Sequence, residues 1–111
     1  MVVTSIKDLT STVLLEAISC GLPVICLKNC GLSHVIDDSC GIKILAKTPK
    51  QIENDIAANI HKLYNNEDLH HKMATGALKR AEEFSWDKKI VELNSIYTES
   101  IIKYYETRYP I

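Results

Sequence analysis

The sequence predicts an α/β chain of about three parallel strands with flanking helices. Three observations carry this. Short β-branched runs alternate with helical segments over residues 1–47, glycine and proline punctuate each change, and from residue 48 the apolar period lengthens from 2 to 3.6. A strand, helix, strand, short helix, strand series makes βαβ units, and such units bring their strands together in parallel.

The first strand is expected over Met1-Val2-Val3-Thr4, opening without a polar lead-in. Ser5 to Ser11 is polar and turn-forming, and Val13-Leu14-Leu15-Glu16-Ala17-Ile18 then reads as a helix stopped by Gly21 and Pro23. Pro23-Val24-Ile25-Cys26 supplies the second strand. Lys28 to Asp38 is a loop with one helical turn at Ser33 to Ile36, and Gly41 to Leu45 forms the third strand. Thr48-Pro49-Lys50-Gln51 has capping-box spacing with proline at the first helical position, and Ile52, Ile56, Ile60 and Leu63 line one face of the helix that follows. Asn66 caps a second long helix with the stripe Leu69, Met73, Ala77 and Ala81. Ser85 caps a third, on which Trp86, Ile90, Leu93, Tyr97 and Tyr104 recur as a packing face. No repeat or linker divides the 111 residues, so they form one unit: strand-helix repeats over 1–47 and a helical part over 48–111.

Thirteen basic and fourteen acidic residues leave a net charge of −1, which gives no field to attract nucleic acid. Apolar stretches run about four to six residues, against roughly 20 for a transmembrane helix. A cytoplasmic address is the expectation. Cys20, Cys26, Cys30 and Cys40 lack paired knuckle spacing, so zinc is not indicated, and Cys20 and Cys26 sit among apolar neighbours where a thiol packs as a small hydrophobe.

Glu16 is the one charged residue of a first helix that reads as buried. It has two readings: a carboxylate held by a backbone donor or a lysine, or one that meets a ligand. Thr10, Ser11 and Thr12 stand at the amino end of that helix, directly after a strand, where free N–H groups and the helix dipole suit a phosphate. Hydroxyl residues also cap helices with no ligand at all. Taken with Glu16, they suggest a phosphorylated ligand whose hydroxyls reach the carboxylate.

Thr4-Ser5, Asp8 through Ala17, Cys20-Gly21-Leu22-Pro23-Val24-Ile25, Asp37-Asp38 with Gly41, and Phe84-Ser85-Trp86 with Tyr97 form an ordered series. Over almost the whole chain this series resembles the closing part of the family 4 retaining glycosyltransferases of GT-B fold (glycosyl transferases group 1). The resemblance implies half of a Rossmann-like GT-B carboxy-terminal domain, whose parent transfers a sugar from a nucleotide-diphosphate donor with retention. In that family two acidic residues eight positions apart flank the phosphate turn, and Asp8 and Glu16 have that separation. The resemblance assigns Asp8 to the donor sugar as the catalytic-side acid, the amides around Ser11, Thr12 and Val13 to the diphosphate, and Glu16 to the ribose. It implies no metal and no cofactor.

Asp8 stands where glutamate is usual, Leu9-Thr10-Ser11 replaces a glycine-rich turn, Cys30-Gly31 replaces a glycine pair, and His34 occupies a common glutamate position. His34 therefore reads as a surface or helix-capping histidine, and His61, His70 and His71 as residues of solvated helix faces. The acceptor domain and the basic pair of the family have no counterpart here, so the chain is expected to be a fragment, inactive alone and partnered in the enzyme by the missing amino-terminal part. Its three strands would be the second half of the sheet, with the first strand left as an edge that invites homodimerisation. Two other functions fit the same residues: a non-catalytic nucleotide-binding or assembly module, and a nucleotide-sugar epimerase of the same fold. Peripheral placement at the inner face of a membrane, through the full-length enzyme, is the alternative location.

Overall fold

The computed structural model describes residues 1–9 and 11–109. Its elements are β1 (Val2–Val3), α1 (Thr12–Ser19), β2 (Val24–Leu27), α2 (Leu32–Val35), β3 (Gly41–Ile44), α3 (Pro49–Tyr64), α4 (Glu67–Glu83) and α5 (Trp86–Arg108). The three strands form one parallel sheet in the order β1-β2-β3, with β1 at an edge as expected. Val2 pairs with Ile25 and Val3 with Cys26, while Val24 to Leu27 pair with Gly41 to Ile44. The first strand is shorter than expected, and the second starts at Val24 because Pro23 has no N–H to donate to a ladder.

β2 is buried along its whole length because both faces of the sheet are covered. Val24 and Cys26 pack with Leu14, Ala17 and Ile18 of α1, with Leu32, Val35 and Ile36, and with Ala77 of α4. Ile25 and Leu27, pointing the other way, pack with Ile44 and against Ile52, Ile56 and Leu63 of α3. Full burial of a side chain such as Leu14 or Ile18 contributes about 1.5–3 kcal/mol. Burial also pushes the Cys26 thiol up to about 11, so it stays a neutral apolar group. Cys26 and Cys40 are the buried cysteines, whereas Cys20, expected among apolar neighbours, is exposed past the end of α1.

Local chemistry sets the helix ends. Gly21 takes φ 70°, its N–H donates to the Ile18 carbonyl at 3.0 Å, and the Leu22 N–H donates to the Ala17 carbonyl at 3.0 Å. That pair of bonds is a Schellman termination, which requires a left-handed residue where glycine stands. Thr48 Oγ1 accepts from the Gln51 N–H at 3.2 Å, but Gln51 Oε1 reaches back to the Lys47 N–H at 3.1 Å, one residue earlier than a reciprocal capping box. Asn66 Oδ1 accepts from the Leu69 N–H at 2.9 Å. Ser85 precedes α5 without a side-chain cap bond.

α4 packs on α1 and on the turn before β3, with Met73 and Ala77 buried. Arg80 ties the same helix to the end of α2: Nε donates to the Val35 carbonyl at 3.0 Å and Nη2 to the His34 carbonyl at 2.6 Å, while Asp37 lies 3.4 Å away and the Phe84 ring 4.9 Å. A cation at the carboxyl end of a helix satisfies carbonyls that have no partner within it. The aromatic and aliphatic stripe of α5 differs from its expected packing role. No residue of α5 is buried, Trp86 is 79% exposed, and Ile90, Tyr97, Ile101 and Tyr104 face solvent, because no other described element lies against that face. The molecule accordingly measures 66 × 30 × 18 Å.

Candidate functional site

The parallel sheet directs the loops after β1 and β2 to one end, the carboxyl ends of the strands, where open α/β sheets offer a ligand crevice. The loop after β1 carries Asp8, half-buried, and leads into α1. Ser11, the residue before α1, is extended at φ −92° and ψ 102°, and its side chain makes no capping bond although the residue is only 8% exposed. The first helical hydrogen bond runs from the Leu14 N–H to the Ser11 carbonyl at 3.0 Å. The N–H groups of Thr12 and Val13 are therefore free of protein partners among the described residues, and no acidic side chain occupies the first turn. A helix amino end in this state attracts an anion. Thr10, also expected at this turn, lies outside the described residues.

Glu16 is exposed, which corrects the expectation that it would be buried. α1 covers the core with Leu14, Ala17 and Ile18 only, and its opposite face is open. Thr12, Val13 and Glu16 share that open face, because residues three and four apart in a helix are neighbours. Glu16 thus keeps the amino end of its own helix in reach, and no protein partner holds its carboxylate among the described residues. Beside it a recess of 260 Å³ is lined by Leu15, Glu16, Ser19, Ala81 and Phe84. A larger recess of 470 Å³, lined by residues of α4 with Asp38 and Ser39, sits at the amino end of β3, at the opposite end of the strands from the α1 amino terminus.

His34 is exposed in the last turn of α2, 6.2 Å from the Phe84 ring, and His61, His70 and His71 are exposed on their helices. No group of three or more His, Cys, Asp or Glu side chains among the described residues is arranged to hold a metal ion. No helix among them is long and apolar enough to cross a membrane.

One residue of this end escaped the sequence reading. Asn29, two residues beyond β2, donates from Nδ2 to the Ile6 carbonyl at 2.6 Å and so connects the loop after β2 to the loop that carries Asp8. Its neighbour Cys30 adopts φ 41°, in the left-handed region. No local pattern marks a contact between positions 23 residues apart.

Comparison with known proteins gives consistent matches. The family described as Glycosyl transferases group 1 matches residues 1–80. A D-inositol 3-phosphate glycosyltransferase of Streptomyces bingchenggensis is 30% identical over 109 residues, covering 97% of this chain and 23% of that protein. An uncharacterized glycosyltransferase of Methanocaldococcus jannaschii is 29% identical over 99 residues, covering 89% of this chain and 27% of that protein. Among solved structures, a sucrose-phosphate synthase from Thermosynechococcus elongatus superposes with a TM-score of 0.74 at 20% identity, over 92% of this chain and 26% of that one. The chain spans about a quarter of the length of these relatives.

Proposed function

The chain belongs to the glycosyl transferases group 1 family, and from that premise we propose that it is the donor-binding segment of a retaining, family 4 type glycosyltransferase that uses a nucleotide-diphosphate sugar. The observation that carries the reading is the open face of α1, where, among the described residues, the N–H groups of Thr12 and Val13 and the Glu16 carboxylate have no protein partner.

The roles follow from charge and reach. The amides of Ser11, Thr12 and Val13, at the positive end of the α1 dipole, receive the diphosphate. Glu16, one turn further along the same face, accepts hydrogen bonds from the ribose hydroxyls. Asp8, on the other side of the turn, faces the donor sugar; being one methylene shorter than glutamate, it brings its carboxylate to the sugar only if the loop after β1 is held close. Catalysis in such a site is positioning and stabilisation of charge on the departing diphosphate, for which no protein nucleophile is needed. Acceptor binding and the basic groups that neutralise the leaving diphosphate belong to other segments of the enzyme, so the chain alone is proposed to bind donor without turning it over, in the cytoplasm.

The test is calorimetry with uridine, guanosine and adenosine diphosphates on the chain and on Glu16→Ala. Loss of the bonds to a charged acceptor is expected to weaken binding by about 1.5 kcal/mol, roughly tenfold. Glu16 makes no side-chain contact needed by the fold, so the variant should melt at the same temperature. An unchanged dissociation constant removes Glu16 from the site.

A further inference from the structure

We propose that Asn29 is a positioning residue that sets the loop carrying Asp8, and thereby the contact of Asp8 with the donor sugar; this rests on the donor-binding reading above. The bond from Asn29 Nδ2 to the Ile6 carbonyl is the one hydrogen bond that ties residues 5–9 to the rest of the described structure. Ile6 lies two residues before Asp8, and the Ile6 side chain is 73% exposed, so apolar packing does not hold the loop at that point.

Asn29 is itself fixed from both sides. Its N–H donates to the Leu27 carbonyl at 3.0 Å, and its carbonyl accepts from the Ser33 N–H at 3.3 Å and from Ser33 Oγ at 3.4 Å. It therefore stands as a rigid post between the end of β2 and the start of α2. The orientation of its amide is dictated by chemistry: the Ile6 carbonyl can only accept, so the nitrogen must face it and the oxygen must turn away. That oxygen, Oδ1, is buried and has no partner among the described residues. A buried acceptor without a donor is unfavourable, and a hydroxyl or N–H of the loop, brought in as it settles over a donor sugar, would satisfy it. Asparagine is suited to the post, offering a donor to the Ile6 carbonyl and an acceptor to the loop itself. Aspartate would set a carboxylate against the Ile6 carbonyl, and alanine would leave that carbonyl untied.

Asn29→Asp and Asn29→Ala on the whole chain test this by two readouts. Backbone 15N relaxation over residues 5–9 is expected to show order parameters falling to about 0.6 or below, as for a loop released from its anchor, with those of β2, β3 and α4 staying near about 0.85. Calorimetry with UDP-glucose, GDP-mannose and ADP-glucose, each against its diphosphate alone, is expected to show a loss of about tenfold for the sugar-bearing ligand and little change for the diphosphate. That difference should vanish in an Asp8→Asn background, since Asn29 acts through Asp8. Unchanged order parameters over 5–9 overturn the proposal, and so does an equal loss for nucleotide sugar and diphosphate. If the unsubstituted chain binds none of these ligands, the donor-binding reading fails instead; added motion confined to 5–9 then still upholds the tie between Asn29 and the loop, and unchanged relaxation refutes it.

Discussion

Alanine at position 76 is expected to destabilise the fold, even though the same change in an exposed helix interior gains about 1 kcal/mol from helix propensity. Gly76 sits in α4 against the turn before β3. A Cβ there would stand 2.0 Å from the Ser39 carbonyl oxygen and 2.7 Å from the Ser39 carbonyl carbon. Both obstructing atoms are backbone, and they cannot rotate away. The turn is also held: the Ser39 N–H and Oγ donate to Asp37 Oδ1 at 2.9 and 2.5 Å, and the Gly41 N–H donates to the Asp37 carbonyl at 3.1 Å. Because a normal C···O contact is about 3.3–3.6 Å, α4 and the turn must separate by roughly 1 Å. Met73 and Ala77 would move with the helix, loosening its contact with the sheet. Overpacking costs about 1–3 kcal/mol, and an overlap this severe lies in the upper half of that range, so after the propensity gain the net loss is about 1–2 kcal/mol. Thermal melts followed by circular dichroism should show a Tm lower by roughly 4–8 °C. Thr75→Ala, at an exposed position of the same turn, is the control and should melt close to the parent. A Gly76→Ala chain as stable as the parent or more so would show that α4 and the turn do not approach each other as described.

Cys30→Gly is expected to stabilise the chain by about 0.5–1 kcal/mol, since φ 41° strains an L-residue and not glycine, and urea unfolding measures the gain. A lower midpoint would mean the thiol makes a contact worth more than the strain. Asp37 titrates below its ordinary 3.8, chiefly through the Ser39 hydroxyl bond, with the Ser39 N–H and Arg80 assisting. A depressed carboxyl contributes stability that is complete above the unfolded value and lost as pH falls through the folded one, so Asp37→Asn should flatten stability only below about pH 4. An identical acid limb in parent and variant would refute that attribution. Val2 lies at the outer edge of β1, and self-association through that edge predicts a dimer in gel filtration with light scattering that Val2→Lys dissociates. A strictly monomeric parent, or a dimer indifferent to the substitution, refutes it.

Much of the architecture was legible because its causes are local. Gly21 ends α1 through its own backbone freedom, Thr48 and Asn66 cap the helices that follow them, and β-branched runs at short spacing mark the strands. The order of those elements implied a parallel sheet, since strands joined through helices cannot pair as hairpins. The eight-residue spacing of Asp8 and Glu16 around a helix amino end was likewise visible in the chain itself.

Other properties are relations between distant segments. The apolar content of α1 suggested a buried Glu16, but which face is covered depends on where β2 and α4 lie, and they leave the face of Thr12, Val13 and Glu16 open. The same distinction leaves Cys20 exposed and Cys40 buried, and turns the stripe of α5 toward solvent. Gly76 reads as an ordinary weak point of a helix until Ser39 is seen against it, and Asn29 as a loop residue until Ile6 is found at 2.6 Å. Periodicity is set by dihedral angles within one element and is written along the chain. Burial and side-chain partnership are set by contacts between elements tens of residues apart, and only tertiary packing decides them.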